Sequence, residues 1–156
     1  MMKLTMLSIS SIVLLCFFMQ DPPDFNKDWL GKRVYPAHSG TINMLLPDSK
    51  EVEWPDMSDT ALGKKGLFVE VRYKNAIGRV RMQEVVHEDR AIEYFQIKVD
   101  DEPEKYFWKL MHALVLVELD ADNSIKYLDK YVDFKPSCEM LYLRANYHFQ
   151  PLLSGY

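Results

Sequence analysis

The sequence has few cysteines, few basic residues and no local catalytic motif. Of its 156 residues two are cysteines, and 19 Lys and Arg residues stand against 23 Asp and Glu residues, for a formal net charge of −4. This balance argues against binding to a phosphate backbone, which needs basic patches. The sequence also lacks a glycine-rich phosphate loop, a G-x-S-x-G elbow, an H-E-x-x-H pair and a C-x-x-C pair. These absences disfavour an enzyme without excluding one, because active-site residues are often far apart in sequence.

The composition is that of an ordinary globular chain. It is 48% hydrophobic and 27% charged, with neither the Gly and Pro excess nor the charge excess that is typical of disorder. A packed core is therefore expected. With about twenty N-terminal residues set aside, the remainder has the length of one domain. We predict a linker over residues 21–28 and a single domain over residues 29–156.

The N-terminal region is an uncharged hydrophobic run. Residues 4–19 carry no charge and follow Lys3, which is the order of charged and apolar regions in a secretory signal. As a helix the run would span about 24 Å, short of the roughly 30 Å hydrocarbon core of a membrane. We predict that residues 1–20 are a signal peptide or a membrane anchor. The protein would then be secreted or membrane-anchored outside the cytoplasm, in the periplasm or at the cell surface if the organism is bacterial.

Cys16 leaves the fate of this segment open. A bacterial lipoprotein signal ends before a cysteine that is acylated after cleavage, but the residue preceding that cysteine is normally small and here it is Leu15. The run is not followed by an A-x-A-like cleavage site either. The sequence is compatible with three alternatives: a cleaved signal, a retained anchor, and lipidation at Cys16. Removal of the segment would leave Cys138 alone, so no intrachain disulfide is expected in the exported part.

The first part of the domain has the pattern of short strands. Residues 67–73 alternate between a face with Val69 and Val71 and a face with Glu70 and Arg72, as a half-buried strand requires. The same criteria, with a surface loop between the third and fourth strands, predict an antiparallel β-meander. The other predicted strands cover residues 33–35, 41–46, 51–54, 79–86 and 91–99, and the loop covers residues 55–65.

The last part of the chain has the pattern of helices. The acidic cluster around Pro103 suits a helix start, because the helix dipole favours acidic residues and the first turn tolerates proline. Helices are predicted over residues 106–119 and 124–134, and a third begins after Ser137 as its N-cap and ends before Pro151. A buried strand over residues 114–117 is the alternative for part of the first helix.

These patterns place the chain in the α+β class, because the strands and the helices occupy separate parts of the sequence. The predicted β-rich part covers residues 29–100, and about three C-terminal α-helices cover residues 101–156. The hydrophobic signal or anchor helix precedes both.

The helical part resembles a degenerate tetratricopeptide repeat over about residues 105–149. Compared with itself at a shift of 34 residues, the repeat length of that family, it places Trp108 opposite Tyr142. The family pattern W-x2-L-G-x2-Y then falls twice on the chain, at Trp108, Met111, His112 and Val115 and at Tyr142, Ala145, Asn146 and Phe149. The later A-x3-F and terminal proline fall on Ser124, Leu128 and Pro136.

The segment departs from the family pattern at packing positions. His112 and Asn146 replace the glycine that lets paired helices approach, Ser124 replaces an alanine, and Pro151 prevents completion of a second repeat. Such repeats need three or more copies to bury a continuous core, so the helices are expected to pack against the β-meander. The resemblance implies a groove for a protein or peptide partner.

Four tyrosines are the candidate partner-binding residues. Aromatic residues in strands and at helix starts mostly belong to the core, although Tyr and Trp are also enriched at interfaces. The candidates recur on the helices of the resemblance and are Tyr127, Tyr131, Tyr142 and Tyr147.

The histidines provide alternative sites. His38 and His87 lie in predicted turns and are the first candidates in an enzyme with dispersed active-site residues. His112 and His148 lie on predicted helices, but two histidines do not complete a zinc site. We therefore assign no catalytic residue, no metal ligand and no cofactor.

The resulting hypothesis is a small exported or membrane-anchored protein that engages a protein or peptide partner at the cell envelope. Residues 4–19 would contact the membrane, and no nucleic-acid partner is expected. Two alternatives are open: a small extracytoplasmic enzyme, and an envelope inhibitor or immunity-type protein, for which the small size and the acidic charge are suited.

Overall fold

Short alternating segments in the first part of the domain form eight strands. The computed structural model describes residues 27–153. All strand pairs are antiparallel and make a five-stranded sheet, in the order β3-β2-β7-β6-β5, and a three-stranded sheet, in the order β4-β1-β8. The strands are β1 (Arg33–Pro36), β2 (Asn43–Leu45), β3 (Glu51–Glu53), β4 (Asp59–Thr60), β5 (Gly63–Lys65), β6 (Phe68–Tyr73), β7 (Ala76–Arg81) and β8 (Val85–His87).

The hairpin of β6 and β7 is the centre of the larger sheet. Val69 pairs with Val80 and Val71 pairs with Gly78, and all three valines are fully buried. The Met44 side chain of the neighbouring strand β2 lies where a Cβ at residue 78 would be, so the close approach requires glycine.

Four helices follow the strands without a long connection. They are α1 (Glu88–Asp101), α2 (Tyr106–Leu119), α3 (Ala121–Phe134) and α4 (Cys138–Leu153). His87 caps α1, because its Nδ1 accepts a hydrogen bond from the Asp89 N–H at 3.2 Å. Ser137 caps α4 in the same way, accepting from the Met140 N–H at 3.1 Å. Helix α2 is the central helix and contacts the other three. Within residues 27–153, the helices are too short or too polar to cross a membrane.

Two hydrophobic clusters lie on opposite faces of the three-stranded sheet. Successive side chains of a strand point to opposite faces. In β1, Val34 therefore joins the cluster inside the β-region while Tyr35 joins the cluster of the helices, and in β8 the buried residues Val85 and Val86 divide in the same way. The sheet is thus the surface on which the helices pack.

Two carboxylates of the helices fix this packing. Glu88 of α1 accepts hydrogen bonds from the Lys32 ammonium at 2.9 Å and from the backbone N–H of Arg33 at 2.6 Å. Glu118 of α2 accepts from the Tyr35 hydroxyl at 2.9 Å, and the Arg33 guanidinium lies 3.7 Å from its other oxygen. Both helices are therefore tied to β1.

The predicted α+β class is confirmed, since antiparallel sheets precede C-terminal helices. The helix predicted over residues 106–119 has these bounds, so the alternative strand over 114–117 is wrong. The helix predicted from residue 124 begins at Ala121, and Ser137 is the predicted N-cap. The helix after Ser137 continues to Leu153, so its predicted end before Pro151 is wrong. The strands predicted over 33–35, 41–46, 51–54 and 67–73 are present with shifted ends.

The strand predicted over residues 91–99 is wrong, because this segment lies in α1. Its buried residues Ala91, Phe95 and Val99 are four apart, which is the spacing of a helix face, but an even spacing also satisfies the period of a strand. As a result the described residues contain four helices, and the helical part begins at Glu88.

Two further predictions need smaller corrections. The predicted loop over residues 55–65 contains β4 and β5, and the predicted strand over residues 79–86 is broken by a 3-10 turn, Met82–Glu84. The predicted N-terminal signal or anchor helix lies outside the described residues.

Candidate functional site

An apolar groove of 570 Å³ lies between helices α2 and α4 and the loop that joins β3 to β4. Its size is within the range of ligand pockets. Leu110 and Leu114 of α2 are four residues apart and share one face of that helix. Helix α4 contributes two pairs with the same spacing, Cys138 with Tyr142 and Glu139 with Leu143.

The loop wall consists of Asp56, Met57 and Ser58. The Ser58 hydroxyl donates a hydrogen bond to Glu118 at 2.9 Å, and Met57 packs against the hydrophobic cluster of the helices. Since Glu118 also binds Tyr35 of β1, the loop, the sheet and α2 are held by one carboxylate. The loop wall and the α2 wall of the groove are therefore held in a fixed position relative to each other.

The groove exposes apolar surface on α4. Among the residues that line it, Tyr142 is 66% exposed, whereas Leu110 and Leu143 are buried. Cys138 is an exposed free thiol. An exposed aromatic side chain next to an open apolar groove is typical of interaction sites.

The charge at the groove is negative. Asp56 and Glu139 are its charged residues, and Lys and Arg are absent from the described residues that line it. Hydrogen bonds from its own backbone N–H at the start of α4 and from the Ser137 hydroxyl lower the pKa of Glu139. As an exposed carboxylate, Glu139 is ionised at neutral pH.

The four candidate tyrosines are divided between different environments. Tyr142 lines the apolar groove. Tyr131 is 1% exposed and belongs to the core, and Tyr127 is half-buried beside a separate polar cavity. Tyr147 lies on α4, but its side chain is outside the described part of the chain. The lipidation candidate Cys16 is also outside the described residues.

The polar cavity lies between α1, α2 and α3 and has a volume of 440 Å³. His112 forms part of its lining and is 1% exposed. Its Nδ1 lies 2.7 Å from the Tyr131 hydroxyl, and its ring meets the Tyr127 ring edge-on at 4.9 Å. Burial lowers the pKa of His112 to about 4. A group with that pKa is a weak general base at neutral pH, so the arrangement favours a packing and hydrogen-bonding role.

The histidines proposed for an enzyme have structural partners. His87 is buried, accepts the N–H of Asp89 through Nδ1, and is placed to donate from Nε2 to the Asp28 carbonyl at 3.0 Å. One neutral tautomer satisfies both hydrogen bonds. His38 accepts the Gly40 N–H at 3.2 Å in a turn. The side chain of His148 lies outside the described part of the chain. Among the side chains that the structure describes, those of His, Cys, Asp and Glu form no group of three that could hold a metal ion.

Sequence reasoning identified Tyr142 but missed most of the groove. The available signal was helix α2, whose sequence YFWKLMHALVLVEL is apolar on nearly every side. Such a helix must be covered all round or leave an apolar face open. The contribution of Asp56 and Met57 had no local signal, because they reach α2 only through tertiary packing.

Comparison of the chain with protein-family models, with curated proteins and with solved structures finds no match.

Proposed function

We propose that the protein is an exported or membrane-anchored binding protein that holds a segment of a protein partner in the apolar groove. The observation that carries this proposal is the exposed side chain of Tyr142 above a groove whose base, Leu110 and Leu143, is already buried. Interface hot spots combine an aromatic residue with an apolar pocket that becomes desolvated on binding. The neutral, buried His112 and the fully engaged His87 give less support to the enzyme alternative.

The tetratricopeptide resemblance supports the same site. The two segments that align at a shift of 34 residues are the sequences of α2 and α4. These helices contact each other and together line the groove. In that family the resemblance implies a groove for a partner, and the same pair of helices would supply it here.

Site-specific photo-crosslinking of the full-length protein in its own cells tests the proposal. A benzophenone side chain at position 142 is expected to give a discrete cross-linked product, because this position lies at the groove. The matched control is position 97 on α1, where Ile97 is 51% exposed away from the groove. A Leu114→Gln substitution should remove the product from position 142. Equal cross-linking from both positions, or a product that is insensitive to the substitution, would refute binding at the groove. If the partner is an enzyme that loses activity on binding, the inhibitor version of the function applies.

Residues 1–20 would bring this groove to the cell envelope. The support is the uncharged run of residues 4–19 after Lys3. The intact mass of the protein recovered from cells distinguishes the three fates: a shortened chain indicates secretion, a lipid adduct at Cys16 indicates tethering, and a full-length chain in the membrane fraction indicates an anchor. A full-length chain in the soluble cytoplasmic fraction would refute export.

A further inference from the structure

We infer that the occupant of the apolar groove is an amphipathic helix of the partner that carries a Lys or Arg residue beside its apolar face. This inference rests on the proposed binding function and specifies the partner's chemistry. It follows from the secondary structure of the groove walls and from the charged residues that line the groove.

The walls of the groove favour a helix over an extended peptide. The described residues that line it lie in a loop or in helices α2 and α4. An extended peptide that adds to a sheet needs a free strand edge, because its affinity comes from main-chain hydrogen bonds. This groove would bind its occupant through side chains and not through main-chain hydrogen bonds. Leu110, Leu114 and Leu143 would contact apolar residues that are spaced three or four apart in the bound helix.

The charges favour a basic occupant. Asp56 on the loop wall and Glu139 on the α4 wall are both exposed acidic residues. A Lys or Arg residue at the edge of the bound helix would meet carboxylates from either wall. A fatty acid or an anionic lipid would instead place its negative head group near these carboxylates. The observations therefore favour a protein helix over a lipid.

Selection from a displayed library of helical peptides tests the inference without a known partner. The bait is the full-length protein as it is purified from cells, and binders that also recognise the Leu114→Gln protein are discarded. We expect the remaining peptides to be enriched in Lys or Arg next to apolar residues at i, i+3 and i+4. A selected peptide and its Lys→Gln version are then titrated against the protein by fluorescence anisotropy.

The variant Asp56→Asn/Glu139→Gln removes both charges with little change in shape. It should weaken the Lys peptide by roughly two- to fivefold per carboxylate and leave the Gln peptide unchanged. The loss should shrink as salt is added, because the charges are partly exposed. Asp101→Asn/Glu53→Gln is the matched control, since both residues are exposed and lie outside the groove. It should leave both affinities unchanged. Thermal unfolding checks that each variant is folded.

The outcomes separate this inference from the proposed function. Peptides that bind in a manner sensitive to Leu114→Gln, but without basic residues or with acidic ones, overturn the inference and leave the groove as a binding site. Failure to obtain any peptide sensitive to Leu114→Gln contradicts both. Dodecanoate binding that the same substitution abolishes, with no peptide selected, would show a lipid groove and also overturn the inference.

Discussion

Glu118 joins the sheet, the loop wall of the groove and α2, so its removal should cost much of the protein's stability. In Glu118→Ala the Tyr35 hydroxyl loses its acceptor, and Tyr35 is fully buried. A buried hydroxyl without a partner costs about 1–3 kcal/mol. The half-buried Ser58 hydroxyl adds about 0.5–1 kcal/mol, and the partly exposed ion pair with Arg33 adds at most about 1 kcal/mol. The expected loss in the free energy of unfolding is about 2–4 kcal/mol.

Urea unfolding of the full-length protein measures this loss. With an m-value of about 2 kcal/mol/M, the midpoint should fall by about 1–2 M. Glu93→Ala is the matched control, because Glu93 is an exposed carboxylate on helix α1, and it should change the free energy by less than about 0.5 kcal/mol.

A double-mutant cycle isolates the central hydrogen bond. Tyr35→Phe removes the same bond from the other side, so the losses from Glu118→Ala and Tyr35→Phe should not add, and the coupling should be about 1–2 kcal/mol. Full additivity, or a Glu118→Ala protein as stable as the control, would show that this carboxylate does not hold the junction together.

Three further predictions concern the core and its titration. Burial lowers the pKa of His112 to about 4, so on acidification the unfolded chain takes up a proton before the folded protein does. The free energy of unfolding should therefore fall by up to about 3 kcal/mol as the pH drops from about 6.5 to about 4, and then stay constant. Urea unfolding at several pH values measures this dependence, and His112→Gln should remove it. Burial raises the pKa of Glu88, but the hydrogen bonds from the Arg33 N–H and the Lys32 ammonium outweigh burial and lower it. The stability that ionised Glu88 contributes should therefore be lost below about pH 4.5. Glu88→Gln should reduce the fall in the free energy of unfolding at acidic pH. Gly78→Ala should cost about 1–3 kcal/mol in urea unfolding, because the added methyl group meets the buried side chain of Met44; an unchanged midpoint would contradict the packing.

The sequence predicted well those elements whose hydrophobic pattern fits only a helix or only a strand, or whose first residue has a recognisable N-cap. Residues 106–119 are too apolar and too long for a strand, and Ser137 makes the N-cap that its position predicts. The segment around Phe95 was ambiguous, because burial at every fourth residue fits both periods. Tertiary packing against β1 resolved it in favour of a helix.

The groove shows why much of a site is hidden from sequence. Tyr142 is an aromatic residue on a helix and was a candidate on that ground. Its neighbours across the groove, including Met57, lie far away in the chain, and the hydrogen bond between Ser58 and Glu118 that brings their loop to α2 joins residues 60 positions apart. A periodic pattern carries no information about a contact of that range.

Protection of Cys138 in cells tests the account most directly, because this exposed thiol lines the groove. The rate of maleimide labelling is measured on the Cys138 peptide by mass spectrometry, in intact cells or membranes and in the purified protein. The account predicts slower labelling in the cell than after purification, with the difference removed by Leu114→Gln. If the wild-type protein is labelled as fast in cells as after purification, and the Leu114→Gln protein behaves in the same way, the result would contradict a partner in the groove.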